Sequence, residues 1–253
     1  MTWRRRTQIP TLIALSGLTV MGCLPLDATS AAPNVATGFE NGFSPFKLQA
    51  IPSRATLTRQ TAASGRQSVR FEVRPGEREP GTRSNRAELY LSSPLFDAGQ
   101  TLRVRDSIRL GAGFVADNHR QSWRIVQQLH EADSKGSPGL AVFVDPGPKF
   151  GLRSGTGSPS YWRGPVLKRE RWYRLEYTVH LSSNPNRGWV RVWLDGKPQV
   201  LQNGSTVMRG VTMRAPARKS FLKLGLYRSP HFTDTSVLYH DDVSVKEDKT
   251  AYR

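Results

Sequence analysis

Leu102-Arg103-Val104-Arg105-Asp106-Ser107-Ile108-Arg109-Leu110 alternates apolar and polar side chains with one slip. A period of two is the mark of a strand with one face buried. The same rhythm runs through Ser68-Val69-Arg70-Phe71-Glu72-Val73-Arg74, through Tyr173 to Leu181, and through Gly188 to Leu194. Asp195-Gly196 then predicts a tight hairpin turn. A last strand is expected over about Ser236 to Val245. No long amphipathic helix interrupts the pattern. Turn residues punctuate it instead, at Pro75-Gly76, Pro80-Gly81, Asp145-Pro146-Gly147-Pro148 and Asn184-Pro185-Asn186. Short strands with frequent turns predict an all-β sandwich or barrel. Gly147 to Pro159, rich in Gly, Ser and Pro, reads as a long loop at a sheet edge or groove mouth.

The chain of 253 residues is long enough for one large all-β domain or two small ones. No repeat and no low-complexity linker divides it, so one domain over about residues 34–247 is expected. Six Trp, ten Phe and seven Tyr exclude a disordered chain. A single Cys excludes a disulfide framework and a Cys-rich zinc site. Lys and Arg number 37 against 20 Asp and Glu, a formal charge of +17. Such an excess points to a polyanionic partner or surface: nucleic acid, anionic lipid or acidic polysaccharide.

The N-terminus narrows that choice. Arg4, Arg5 and Arg6 precede an apolar stretch from Ile9 to Val20, and small residues follow at Ala28 to Ala31. This order is that of a secretion signal peptide over residues 1–31, too short to be a membrane span. Val20-Met21-Gly22-Cys23 offers a second reading, a lipoprotein anchored through Cys23. Losing three Arg and one Asp takes the charge from +17 to +15 and removes the only thiol. Export makes nucleic acid the weakest of the three partners. No other apolar run is long enough to cross a bilayer.

Three segments carry polar groups at strand spacing. Asn85-Arg86-Ala87-Glu88-Leu89-Tyr90 places Arg86 and Glu88 on one face. Ile125-Val126-Gln127-Gln128-Leu129-His130 does the same for Gln128 and His130. Phe221-Leu222-Lys223-Leu224-Gly225-Leu226-Tyr227 sends the three leucines to the core and puts Lys223, Gly225 and Tyr227 together, the glycine leaving room for a ligand. Singly, each has a plain reading: a solvated ion pair, a strand-end histidine, an edge aromatic. Together they would make one basic, hydrogen-bonding groove.

These segments resemble the motif set of the jelly-roll polysaccharide lyases, which include alginate lyases, glucuronan lyases and heparin lyase I-like proteins. Trp172-Tyr173-Arg174, Trp189 to Lys197, Phe39-Glu40-Asn41-Gly42 and Tyr239-His240-Asp241-Asp242-Val243 extend the likeness over most of the chain. Leu222 before Lys223 and Arg228-Ser229 after Tyr227 depart from the alginate pattern and sit closer to the heparin lyase I-like and glucuronan branch. The resemblance implies a concanavalin A-like β-jelly-roll of two antiparallel sheets with a concave basic groove. It also implies a secreted lyase that cleaves a uronic acid polymer by β-elimination.

That chemistry asks for a cation on the uronate carboxylate, a base for the α proton and an acid for the leaving oxygen. Arg86 has the planar fork for the carboxylate, and Gln128 can donate to the same group. By analogy Tyr227 is the acid, and also the base in a syn elimination, helped by Lys223 and Arg86. His130 is the base in an anti elimination. Lys223, Glu88, Arg124 and Arg228 are the expected substrate-binding residues, Glu88 by orienting Arg86, with Lys168 a further subsite candidate. Trp123, Tyr161 and Trp162 could stack on sugars or pack in the core. No cofactor motif is present; Asp145 and Asp241-Asp242 could hold a structural Ca²⁺, although adjacent Asp residues point to opposite faces. A monomer is expected. The rivals are a non-catalytic binding module on the same fold, a basic adhesion protein, and a glycoside hydrolase. The last needs two facing carboxylates, and Glu88 is the only acid in the three segments.

Overall fold

The computed structural model describes residues 1, 34–115 and 123–249. The expected signal peptide and Cys23 lie outside the described residues. Strands dominate the compact unit that begins at Ala32. In chain order they are β1 (Asn34–Thr37), β2 (Phe46–Gln49), β3 (Ala55–Thr58), β4 (Ser68–Val73), β5 (Asn85–Leu91) and β6 (Phe96–Asp97). Next come β7 (Thr101–Leu110), β8 (Arg124–Glu131), β9 (Leu140–Asp145), β10 (Lys149–Arg153) and β11 (Ser160–Val166). The last are β12 (Trp172–His180), β13 (Trp189–Leu194), β14 (Lys197–Pro198), β15 (Met208–Arg209), β16 (Lys219–Arg228) and β17 (Ser236–Glu247). Among the described residues the only helix is a single 3₁₀ turn, Pro52–Arg54.

Two sheets form. One runs β14-β13-β12-β7-β17-β4-β3, with β1 on β17 and β15 on β13. The other runs β11-β10-β9-β8-β16-β5-β2, with β6 on β16. Neighbouring strands pair antiparallel, and many are far apart in sequence, as in a jelly roll. Alternation puts one face of each sheet into a shared core. Leu102, Val104, Ile108 and Leu110 of β7 are wholly buried, as are Leu222, Leu224 and Leu226 of β16. Each such side chain contributes about 2 kcal/mol of burial.

The slip in the β7 pattern is a buried acid. Asp106 occupies a core position in strict alternation with Val104 and Ile108. Its carboxylate faces His240 Nδ1 at 2.8 Å and accepts from Gln127 Nε2 at 2.6 Å, while the Tyr177 hydroxyl donates to Gln127 Oε1 at 2.8 Å. Burial raises the Asp106 carboxyl above its ordinary value, against the opposing pull of His240. A buried polar group is tolerated when it is bonded in this way.

Other expectations hold or shift locally. Asp195 and Gly196 both have positive φ, 51° and 77°, as a two-residue hairpin of the I′ type requires. The segment expected to be one long loop, Gly147 to Pro159, instead contains β10, which pairs with β9 and β11. Only its second half is loop, and Gly155, Thr156 and Gly157 line a cavity there.

Candidate active site

Strand order brings the three motif strands side by side, as β8-β16-β5. Lys223 stands between Tyr90 and Gln128, Tyr227 between Arg86 and Ile125, and Phe221 beside His130. Ala87, Leu89 and Leu91 of β5 point into the core, so Arg86, Glu88 and Tyr90 point away from it.

Glu88 is the hub of this face. It is 1% exposed. Its Oε1 accepts from Gln128 Nε2, and its Oε2 lies 2.9 Å from Lys223 Nζ and 3.2 Å from Arg86 Nη1. Arg86 is held from two further directions: Nη2 donates to Ser84 Oγ at 2.6 Å, and Nε lies 3.1 Å from Glu79 Oε2. The guanidinium sits 4.0 Å over the Tyr227 ring. Trp123 packs edge-on against that ring at 4.6 Å, above an apolar floor of Ile125, Ala141 and Phe143. Both rings of this pair are fixed, yet the Tyr227 hydroxyl makes no hydrogen bond to any described residue.

Two cavities adjoin here. One, of about 520 Å³, is lined by Tyr227, Trp123, Phe143, Arg153 and Thr156. The other, of about 750 Å³, is lined by Tyr90, His130, Lys135, Phe221 and Lys223. Arg86 and Gly136 line both. A further cavity of about 560 Å³, around His180 and Arg187, belongs to the other sheet and holds none of the motif residues.

His130 is placed differently from Tyr227. Its Nδ1 lies 2.9 Å from the Glu131 carbonyl and its Nε2 3.0 Å from that of Gly136. These contacts brace the 131–136 turn, and the ring leans on Phe221 at 5.7 Å. On β8 it stands opposite Phe221 whereas Tyr227 stands opposite Ile125, about 16 Å of strand away.

Arg124 and Arg228, expected in the groove, are not there. Both are buried, at 1% and 0% exposure, because they alternate with groove-facing neighbours and so point inward. Arg228 donates to Asn85 Oδ1 at 2.7 Å, to Ser236 Oγ at 2.9 Å and to the Asp234 carbonyl at 2.6 Å. Arg124 stacks on Phe232 at 3.6 Å. Gly225 also corrects the expectation of room for a ligand. Its φ is 132°, and a Cβ there would lie 2.3 Å from the Ala87 carbonyl oxygen and 2.7 Å from Glu88 Cα. The glycine serves a bulge, where β16 slips against β8 between Leu224 and Tyr227. Tyr161 and Trp162 are core residues at 0% and 1% exposure, and Lys168 lies exposed on the loop after β11.

The proposed calcium ligands are otherwise engaged. Asp145 pairs with Arg153 at 2.8 Å, and Asp241 Oδ2 accepts from the Ala63 and Ser64 N–H groups at 2.8 and 3.1 Å. Among the described residues no group of three His, Cys, Asp or Glu could hold a metal. The motif cations are themselves charge-balanced: Arg86 and Lys223 share Glu88, and Arg86 also faces Glu79.

Residues not singled out in the sequence complete the site. Tyr90 follows Glu88 at strand spacing and was findable by alternation. Arg153, stacked 3.7 Å from the Phe143 ring, was hidden in the stretch read as loop. Glu79 and Ser84 come from the turn before β5 and carry no pattern of their own.

No curated protein matches the chain in sequence. Among solved structures it is similar to an endo-β-1,4-glucuronan lyase from the fungus Trichoderma reesei, with a TM-score of 0.62 and 16% identity over 84% of this chain and 94% of that one. The cellulose induced protein Cip1 gives 0.57 and 15%, over 83% and 96%. The alginate lyase Aly36B gives 0.54 and 11%, over 87% and 98%. At these identities the likeness is one of fold, the jelly-roll sandwich. The sequence itself goes further: a polysaccharide lyase family model matches residues 35–244, and the chain belongs to that family of enzymes.

Proposed function

We propose that this polysaccharide lyase cleaves a uronic-acid-containing polymer by β-elimination, leaving an unsaturated uronate end. The observation that carries the reading is the Arg86–Tyr227 pair, a fixed guanidinium 4.0 Å over a phenol ring where two cavities meet. Abstraction of the proton α to a uronate carboxylate builds negative charge on that carboxylate. Arg86, oriented by Glu88, Glu79 and Ser84, is preorganised to receive it. Gln128, fixed through one N–H to Glu88, has a second N–H for the same group.

Tyr227 then handles the protons. In a syn course it enters as the phenolate and takes the α proton. The electron pair of that C–H bond forms the C=C bond as the glycosidic C–O bond breaks, and the phenol returns the same proton to the departing oxygen, so one residue serves both steps on one face of the sugar. This syn course is favoured over His130 as base, because both His130 nitrogens are occupied by carbonyl oxygens. Tyr90, Lys223 and His130 would then form the subsite in the second cavity. The basic, apolar and small-residue order of residues 1–31 supports action outside the cell.

Ultraviolet absorbance during incubation with glucuronan, alginate and heparan-type polymers tests this. A rise on one polymer, from the new C=C bond, names the substrate. Tight binding with no rise on any polymer would support the alternative, a binding module without turnover.

A further inference from the structure

The cavities at Tyr227 account for little of the positive charge of this chain, since Arg86, Arg153 and Lys223 are paired with carboxylates and leave Lys135. Cations gather instead on the outer face of the other sheet. Cross-strand register sets them in rows: Tyr239–Arg109–Trp172, Asp241–Ser107–Arg174, Ser244–Arg105–Glu176–Trp193, and Lys246–Arg103–Thr178–Arg191. Two acids lie inside these rows: Glu176, which Arg103 and Arg105 both bind, and Asp241, which is wholly buried and accepts from the Ala63 and Ser64 N–H groups. Arg174, Arg191 and Lys246 have no ion-pair partner among the described residues.

The face is also shaped. Two adjoining depressions, of about 430 and 300 Å³, share Arg174 and Asp242. They run from Thr37 and Ser244 past Arg105 to Trp172. Two acids line them as well: Asp242 Oδ1 accepts from Ser64 Oγ at 2.5 Å, and Asp195 pairs with Arg171 at 2.8 Å. Trp172 is pinned by its Nε1 donating to Thr61 Oγ1 at 3.0 Å, with Tyr239 edge-on at 6.4 Å.

We propose that this outer face is a second, non-catalytic binding site for an acidic polysaccharide. The inference rests on the reading of the substrate as a polyuronate. Outward side chains along a strand recur about every 7 Å, so the rows spread the cations along the face where an extended polyanion can meet several of them. Trp172 and Tyr239 add flat apolar surface for sugar rings, which distinguishes the site from a merely solvated basic face. A long polymer held there raises the effective concentration of its neighbouring segments at Arg86 and Tyr227.

The test uses gel retardation in polyglucuronate and in alginate at graded salt. The parent carries Tyr227→Phe to stop turnover, and is compared with the same protein bearing Arg105→Ser and Arg174→Ser, or Lys246→Glu. The outer-face variants are expected to bind the polymer about fivefold more weakly, with a shallower salt dependence. With Tyr227 restored, they should cleave a tetrauronate at the wild-type rate. Equal retardation of parent and variants overturns the inference, as does a parent that neither gel retards. Failure of the functional reading shows separately, as a wild-type protein that cleaves no polymer.

Discussion

The Arg86 guanidinium and the Tyr227 ring are stacked 4.0 Å apart across the β5–β16 pair, and Glu88 fixes the arginine from two residues along the same strand. The proposed reaction site thus depends on a carboxylate that is almost wholly buried. Breaking a buried ion cluster by removing one partner is costly, because the other charges stay buried.

Glu88→Gln keeps the shape and removes the charge that Lys223 and Arg86 share. Lys223 is 4% exposed. Unfolding in denaturant should show a loss of about 3 kcal/mol, and kcat should fall at least about tenfold as Arg86 loses its orientation. An unchanged midpoint would mean that Glu88 is not the hub.

Arg228→Leu separates structure from binding. The side chain is wholly buried and ties Asn85 to the 234–236 segment. Stability should fall by about 3 kcal/mol, with KM unchanged at temperatures where the variant is folded. A raised KM with unaltered stability would return Arg228 to the groove.

Gly225→Ala should be more damaging than its size suggests. The new methyl group would meet backbone atoms of Ala87 and Glu88, in a conformation with φ of 132°. A loss of about 3 kcal/mol is expected by thermal unfolding. A neutral result would contradict the bulge geometry.

Arg54 and Glu77 give a pH signature. Hydrogen bonding to Arg54 holds the Glu77 carboxyl below its ordinary value, so the folded pKa lies under the unfolded one. The pair therefore stabilises the fold above the unfolded pKa, and that contribution is lost as pH falls through the folded pKa. Arg54→Ala should cost less than about 1 kcal/mol at neutral pH, the side chains being partly exposed. The gap from wild type should close in acid. A gap that widened on acidification would contradict the sign.

Much of this molecule could be read from residue order. Period-two runs located β4, β7, β12, β13 and β17, and Asp195-Gly196 located a turn. The three motif strands carried Arg86, Gln128, Lys223 and Tyr227, and pairing then set Arg86 beside Tyr227 and Gln128 beside Lys223. What escaped has physical causes. β10 lies in a Gly- and Pro-rich stretch and gains its strand character from pairing on both edges. Asp106 looked like a break in the pattern because its partners, His240 and Gln127, are remote in sequence. Arg124 and Arg228, expected as substrate-binding residues, are buried instead, and alternation with Tyr227 is what turns Arg228 inward.

The most direct test of the account is the turnover of Tyr227→Phe on the polymer that the wild type cleaves. Removing one hydroxyl, which has no hydrogen bond within the described protein, should leave the fold and the polymer Kd intact. The unsaturated product should then no longer form at a measurable rate. Turnover at the wild-type level would contradict the assignment of both proton transfers to Tyr227.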